Sequence, residues 1–234
     1  MMGATTSRAT APTKGEQTRA SIIDAALSLF EEVGYDASTM RAIAERAGVS
    51  VGNAYYYFSS KEELIQGFYD RNALQHEVRA TADLDGVTDL VERARVNLVA
   101  WIEENHGFHE FAGVFLRTAS DPVSPMSPFS DDSAPARERA VAGWRLVVEG
   151  SDAEIPDAIR DELPELLWLY QMGIVLFWVH DRSDDVAATR LLIDRTVPML
   201  MRAVEFSALP MVRDAVTDLV TLISDLRRLQ VSDG

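Results

Sequence analysis

Cysteine is absent from the 234 residues. That excludes disulfides, cysteine-ligated zinc, iron–sulfur clusters, a thiol nucleophile and thiol-based redox sensing. Proline is missing between Pro12 and Pro122, so nothing in that stretch interrupts helix. Long apolar runs are missing as well. The most apolar window, Leu166 to Val179, is interrupted by Gln171 and Gly173 and falls short of the ~20 residues a membrane span needs. The opening residues, MMGATTSRATAPTKG, lack the apolar core of a secretory signal. They read as a disordered arm, and the chain is expected in the cytoplasm with no membrane partner. Val, Ile and Thr do not gather into alternating runs around a hairpin turn, which argues against strands. Basic residues are scarce, with 22 Lys+Arg against 37 Asp+Glu and a net charge of −15. Such a charge argues against nucleic acid, whose phosphates repel it.

The distribution of charge changes that inference. Residues 1–61 hold six basic side chains (Arg8, Lys14, Arg19, Arg41, Arg46 and Lys61) and six acidic ones, so the net −15 falls entirely on the remainder. A neutral N-terminal part and an acidic C-terminal part imply two domains with different electrostatic roles. With 47% hydrophobic residues, a chain of this length builds a core without staples.

The expected elements are helices. Thr13-Lys14-Gly15-Glu16 forms a capping box before Ile22, Ile23, Ala26, Leu27, Phe30 and Val33 at helical spacing, and Gly34 supplies a left-handed stop. A second helix is expected from Thr39 to Ala47, capped by Ser38 and stopped by Gly48, and a third from after Ser50 to Phe58. Ser60-Lys61-Glu62-Glu63 reads as another capping box. Beyond residue 80 the spacing predicts helices over Val87–His106, Phe108–Ala119, Ala136–Glu149, Pro164–His180, Asp184–Phe206 and Met211–Leu229. Asp121–Pro135 is a loop, and Pro198 should kink or divide its helix. The fold class is all-α: a three-helix N-terminal domain and a larger C-terminal helical domain, over residues 1–14 (arm), 15–60 and 61–234.

The informative segment is Thr39 to Lys61, TMRAIAERAGVSVGNAYYYFSSK. Two short helices around Gly48-Val49-Ser50 make a helix-turn-helix. Ile43, Ala44 and Ala47 form the inner face of the first, Val49 plugs the turn, and Ala54 and Phe58 anchor the second. Ser50, Val51, Gly52, Asn53, Tyr55, Tyr56 and Tyr57 are left to project elsewhere. Three successive tyrosines cannot share one buried face when each position turns by about 100°. N-terminal residues of such a second helix reach base edges in the major groove. Asn53 suits adenine, Val51 a thymine methyl, and Gly52 a close backbone approach. Tyrosine hydroxyls, Arg41, Lys61 and N–H groups at the helix starts suit phosphates. The alternative is a small helical bundle with ordinary surface tyrosines.

Residues from about Gln17 to Arg71 resemble the DNA-binding domain of the TetR family of bacterial one-component regulators. The resemblance lies in RASIIDAALSLFEEVGYDASTMRAIAERAGVS, the Ala47-Gly48-Val49-Ser50 turn, the Tyr55-Tyr56-Tyr57-Phe58 run and Ser60-Lys61-Glu62-Glu63-Leu64. Tyr57 stands where the family often has histidine. The resemblance implies an all-helical regulator, usually a dimeric repressor, whose C-terminal domain binds a small effector. By position match, Thr39, Arg41, Tyr55 and Lys61 would contact the DNA backbone, while Val51, Gly52, Asn53 and Tyr57 would face bases.

The C-terminal part carries no matched motif. Leu166–Val179 is apolar nearly all round, which predicts a helix buried on several sides. Two-fold operators need two reading heads ~34 Å apart. A homodimer on a near-palindromic double-stranded operator is therefore expected, joined through Pro164–His180 and Asp184–Phe206, with intramolecular core as the alternative. An effector pocket is expected among aromatic residues between Leu84 and Val179. Trp101, Phe108, Phe111, Phe115, Trp144 and Trp168 would supply apolar walls, with His109, Gln171 and Met172 placed among them; core packing is the competing role. The effector itself is expected to be small and largely apolar. It would favour a dimer with wrongly spaced heads, acting through the Ser60–Arg79 helix. His106 and His109 lie three apart near Glu103 and Glu110, but Gly107 intervenes, so no metal site is expected. H-E-x-x-H and P-loop patterns are missing, so neither catalysis nor a cofactor is expected. The other functional class left open is a helical ligand- or partner-binding protein that does not act on DNA.

Overall fold

The computed structural model describes residues 13–206 and Asp218, with the side chains of Glu110, Phe111, Val114 and Ala158 left out. The expected helix at Met211–Leu229 and most of the N-terminal arm lie outside the described residues. Within them the fold is all-α, with no strand. The elements are α1 (Lys14–Val33), α2 (Met40–Arg46), α3 (Val51–Tyr57), α4 (Lys61–Asp83), α5 (Leu90–Asn105), α6 (His109–Ala119), α7 (Ala134–Glu149), α8 (Asp157–Arg160), α9 (Leu163–His180) and α10 (Ala187–Phe206). The chain divides between Phe68 and Tyr69, inside α4, into two compact units. No described helix is long and apolar enough to cross a membrane.

The first unit is built on caps. Thr13 closes a capping box on α1, its hydroxyl accepting from Glu16 N–H while the Glu16 carboxylate accepts from Thr13 N–H. Gly34 ends α1 at φ +87, donating its N–H to the Phe30 carbonyl. Its ψ of 157 is extended rather than left-handed helical, so the chain leaves α1 abruptly instead of curling back on it. Thr39, not Ser38, caps α2: the Thr39 hydroxyl accepts from Ala42 N–H, and α2 starts at Met40. Ser38 is buried and donates instead to the Gly34 carbonyl. At the start of α4, Ser60 accepts from Glu63 N–H, but the Glu63 carboxylate reaches back to Ser59 rather than Ser60.

In the second unit, α5 begins at Leu90, three residues later than its apolar spacing predicts. Gly86 at φ +75 and a turn from Val87 N–H to the Leu84 carbonyl occupy that stretch, and Asp89 is the cap. Gly107 does interrupt the helix, with His106–Phe108 forming a 3-10 turn before α6. The Pro- and Ser-rich segment is a chain of turns in which the N–H groups of Ser124, Ser127 and Ser130 each bond the carbonyl three residues earlier. Pro198 sits inside α10, which continues through it undivided.

The core of this unit packs Leu98 and Ile102 of α5, Trp144 and Val147 of α7, Leu167 and Ile174 of α9, and Ile193 and Val197 of α10. Arg93 of α5 is buried among them, its guanidinium donating to the carbonyls of Leu84, Val87, Leu146 and Val147. It gathers the chain after α4 and the last turn of α7 onto α5 through these four carbonyls. The α9 helix is less enclosed than its composition suggests. Leu169, Leu176 and Phe177 are exposed, because α6, α7 and α10 pack against its other sides.

Candidate nucleic-acid interface

Local chemistry fixes the helix-turn-helix. Ser50 caps α3 by accepting from Asn53 N–H at 3.1 Å, and Gly48 takes φ +69 in the turn, a conformation that costs glycine little. The N–H of Val49 bonds the Ala44 carbonyl, closing the turn, with the Val49 side chain half-buried beneath it. Ile43, Ala44, Ala54 and Phe58 are fully buried, as their spacing requires. Ala47 is only half-buried.

The opposite face of α3 is open. Val51, Gly52 and Asn53 are exposed, as are Tyr55 at 52% and Tyr56 at 81%. Two of the three tyrosines therefore present phenols to solvent. Tyr57 is half-buried, edge-on to Tyr56 at 5.1 Å, with its hydroxyl beside Gly15 at the start of α1. Thr39 and Arg41 are exposed at the start of α2. Thr39 also carries the cap, so its hydroxyl keeps only its proton to offer a phosphate.

Lys61 is more confined than its sequence suggests. Its ammonium donates to the Tyr35 carbonyl at 2.6 Å and lies 4.1 Å above the Tyr35 ring. The Tyr35 hydroxyl in turn donates to Glu62 at 2.6 Å. Burial and that bond push the Tyr35 phenol pKa well up, while the same bond holds the Glu62 carboxyl low. Tyr35 thus orients both side chains at the start of α4, a role sequence reading missed; an aromatic one residue past a helix-ending glycine is the only signal for it. Arg46 is tied to Ser28 and Glu32, and Arg19 lies over the Phe58 ring. Both serve the fold of this unit.

The aromatic residues expected around an effector are not gathered into one group. Trp144, Trp168 and Gln171 are buried, and the Trp144 indole donates to Gln171 Oε1 at 2.7 Å. Trp101 and Trp178 meet edge-on at 5.2 Å, and His109 Nε2 lies 2.7 Å from the Trp178 carbonyl. Phe115 packs edge-on to Tyr69 and Trp168 to Phe129. Phe108 and Met172 are half-buried, and the Phe111 side chain lies outside those described. His106 pairs with Asp185 rather than with His109, and no cluster of metal-ligating residues occurs among the described residues.

Comparison with known proteins places this architecture. Residues 22–67 match the description "Bacterial regulatory proteins, tetR family", and residues 93–220 match "Tetracyclin repressor-like, C-terminal domain". The chain belongs to the TetR family. It is 50% identical over 50 residues to the HTH-type transcriptional repressor KstR of Rhodococcus jostii, covering 21% of this chain and 24% of that one. It is 39% identical over 70 residues to the HTH-type transcriptional regulator UidR of Escherichia coli, covering 30% and 34%. These matches thus span about a quarter to a third of the relatives' length. The crystal structure of the regulator FadR from Bacillus subtilis, in complex with stearoyl-CoA, shares the fold with a TM-score of 0.61 at 20% identity, covering 76% of this chain and 97% of that one.

Proposed function

We propose that this TetR-family chain is a sequence-specific DNA-binding repressor, working in the cytoplasm as a homodimer and released from its operator by a small ligand. One observation carries the reading: α3 buries only Ala54 and turns Val51, Asn53, Tyr55 and Tyr56 outward from a capped, rigid turn. Base edges would be read by Val51, Gly52, Asn53 and Tyr57. Phosphates would be held by Thr39, Arg41, Ser50, Tyr55, Tyr56 and Lys61, four of the six through hydroxyl groups that carry no charge. The acidic remainder of the chain suppresses binding to random DNA, leaving affinity to these few contacts.

A dimer is favoured by the exposed apolar residues of the two long C-terminal helices, Leu169, Leu176 and Phe177 on α9 and Leu191 and Met199 on α10. Large apolar side chains left exposed on helices of this length suit an interaction surface. Two copies would set two α3 helices in successive major grooves of a near-palindromic site. A ligand in the second unit would weaken DNA binding, and DNA would weaken ligand binding by the same factor. FadR, which shares the fold, was crystallised with stearoyl-CoA, so the fold can hold a ligand that carries a long apolar chain.

Selection of genomic fragments by the full chain, followed by gel shift, tests the reading. A near-palindromic sequence should be enriched. Asn53→Ala should change base preference at one position of each half-site, whereas Tyr55→Phe should weaken binding to all sequences alike. Enrichment of no sequence overturns the DNA reading.

A further inference from the structure

A chain of net charge −15 can approach a phosphate backbone only through cations that are free to face it. Among the described residues of the first unit the basic side chains are Lys14, Arg19, Arg41, Arg46 and Lys61. Arg19 and Arg46 are occupied inside the fold, the one over the Phe58 ring and the other on Glu32 and Ser28. Lys61 is occupied in part, by the Tyr35 carbonyl and ring. Arg41 and Lys14 remain, both exposed and neither engaged in an ion pair or ring contact with a described residue. Arg41 already stands among the phosphate contacts. Lys14 has no task in the fold.

The reading helix sets the place of Lys14. Asn53 and Tyr57 are four residues apart and share one face of α3, Asn53 exposed on the first turn and Tyr57 half-buried at the end. The Tyr57 hydroxyl lies against Gly15, where an added Cβ would stand 3.5 Å from it. Lys14 and Gly15 are the first two residues of α1, so the first turn of α1 is carried beside that face of α3. From Val51 to Tyr57 the helix rises about 9 Å, in a major groove ~12 Å wide. With the first turn of α3 on base edges, its Tyr57 end therefore reaches the groove wall, where phosphates lie. Local charge suits them. No acidic residue precedes Glu16, and the Glu16 carboxylate is turned back onto the N–H and hydroxyl of Thr13 at 2.7 and 2.8 Å.

We propose that Lys14 binds a backbone phosphate at the edge of each half-site, on the side of α3 that carries Asn53 and Tyr57. The proposal rests on the DNA-binding reading above and extends the interface to a third helix, α1. A phosphate is the same beside every base, so Lys14 supplies salt-dependent affinity and no sequence preference. The capping box keeps the first turn of α1 formed before DNA arrives, and only the lysine side chain is left to be ordered on binding.

The test measures anisotropy of a fluorescein-labelled selected operator with the full chain, from about 50 to about 200 mM salt. Lys14→Gln should lower the slope of log affinity against log salt by about 0.9 per chain bound. At the low-salt end it should weaken binding roughly tenfold, alike on the operator and on its single-base variants. Lys14→Arg should keep the slope. Arg145→Gln removes the same charge from an exposed position of α7 in the second unit and should also keep it. Phosphate ethylation interference should mark one position per half-site that is lost with Lys14→Gln and kept with Lys14→Arg. The assignment is overturned if Lys14→Gln retains the full slope, if Arg145→Gln lowers it equally, or if no ethylated phosphate depends on Lys14. Failure of the DNA-binding reading looks different, since the unsubstituted chain would then enrich no sequence at all.

Discussion

Replacing Arg93 by methionine probes how the second unit is fastened together. Methionine keeps much of the stem that packs in the core and removes every donor. Two of the four carbonyls keep a partner, since Leu146 also accepts from Gly150 N–H and Leu84 from Val87 N–H. The other two, Val147 and Val87, lose the guanidinium that meets them in a buried or half-buried setting. Each such loss costs ~1–3 kcal/mol, and the relief of no longer burying a cation offsets part of it. The expected destabilisation is about 3 kcal/mol. All four tryptophans, at 101, 144, 168 and 178, lie in the second unit, so urea unfolding followed by tryptophan fluorescence reports on that unit alone. Protein concentration must be fixed, because association shifts apparent stability.

A second substitution makes the reasoning sharper. A Cβ at Gly150 would overlap the Arg93 guanidinium, although the backbone there, at φ −84, accepts alanine. Gly150→Ala should therefore destabilise the unsubstituted chain and be neutral, or stabilising by ~0.4–1 kcal/mol, when Arg93 is already methionine. A loss below about 1 kcal/mol for Arg93→Met, or the same effect of Gly150→Ala in both backgrounds, would refute the assignment.

Thr39→Ala should cost ~1 kcal/mol by removing the α2 cap, measured as a shift in thermal unfolding of the first unit by circular dichroism. Removal of the Gln171 acceptor with Gln171→Met should cost ~1–3 kcal/mol by stranding the buried Trp144 indole N–H, seen in urea unfolding with a changed tryptophan emission. Asp181 accepts from the N–H and hydroxyl of both Ser183 and Thr189. Burial would raise its pKa, but these four bonds outweigh it and hold the carboxyl at about 2. Because the folded value is depressed, its contribution is complete above the ordinary carboxylate range and is lost as pH falls through about 2. Asp181→Asn should thus be destabilising at pH 7, with the difference from the unsubstituted chain shrinking in acid unfolding as pH approaches 2. Raising salt should weaken binding to a selected operator, and Arg41→Gln should reduce that salt slope by about one unit.

Much of the first unit could be read before folding because its determinants are local. A capping hydroxyl, a glycine with positive φ and an apolar residue every three or four positions act within a turn or two of helix. Thr13, Ser50, Gly34 and Gly48 each announce a boundary. Where two candidates stand side by side, as with Ser38 and Thr39, pattern alone chose the wrong one, since the choice depends on which hydroxyl the preceding turn has already buried. The exposed tyrosines were legible for a geometric reason: three consecutive residues on a helix cannot share one buried side.

The aromatic set in the second unit was less informative, because core and pocket residues have the same composition. Trp144 and Gln171 stand 27 residues apart, and only their meeting makes the glutamine a partner of the indole rather than of a ligand. An all-helical chain with a helix-turn-helix and an uneven charge is written into short stretches of the chain, since helix propensity, capping and charge reside in neighbouring residues. Packing decides that Lys61 rests on Tyr35, that Arg93 binds carbonyls from two distant segments and that Leu169, Leu176 and Phe177 of α9 stay exposed. Those outcomes depend on which side chains meet across long separations and on how much water each meeting excludes. Neither quantity is carried by any short stretch of sequence.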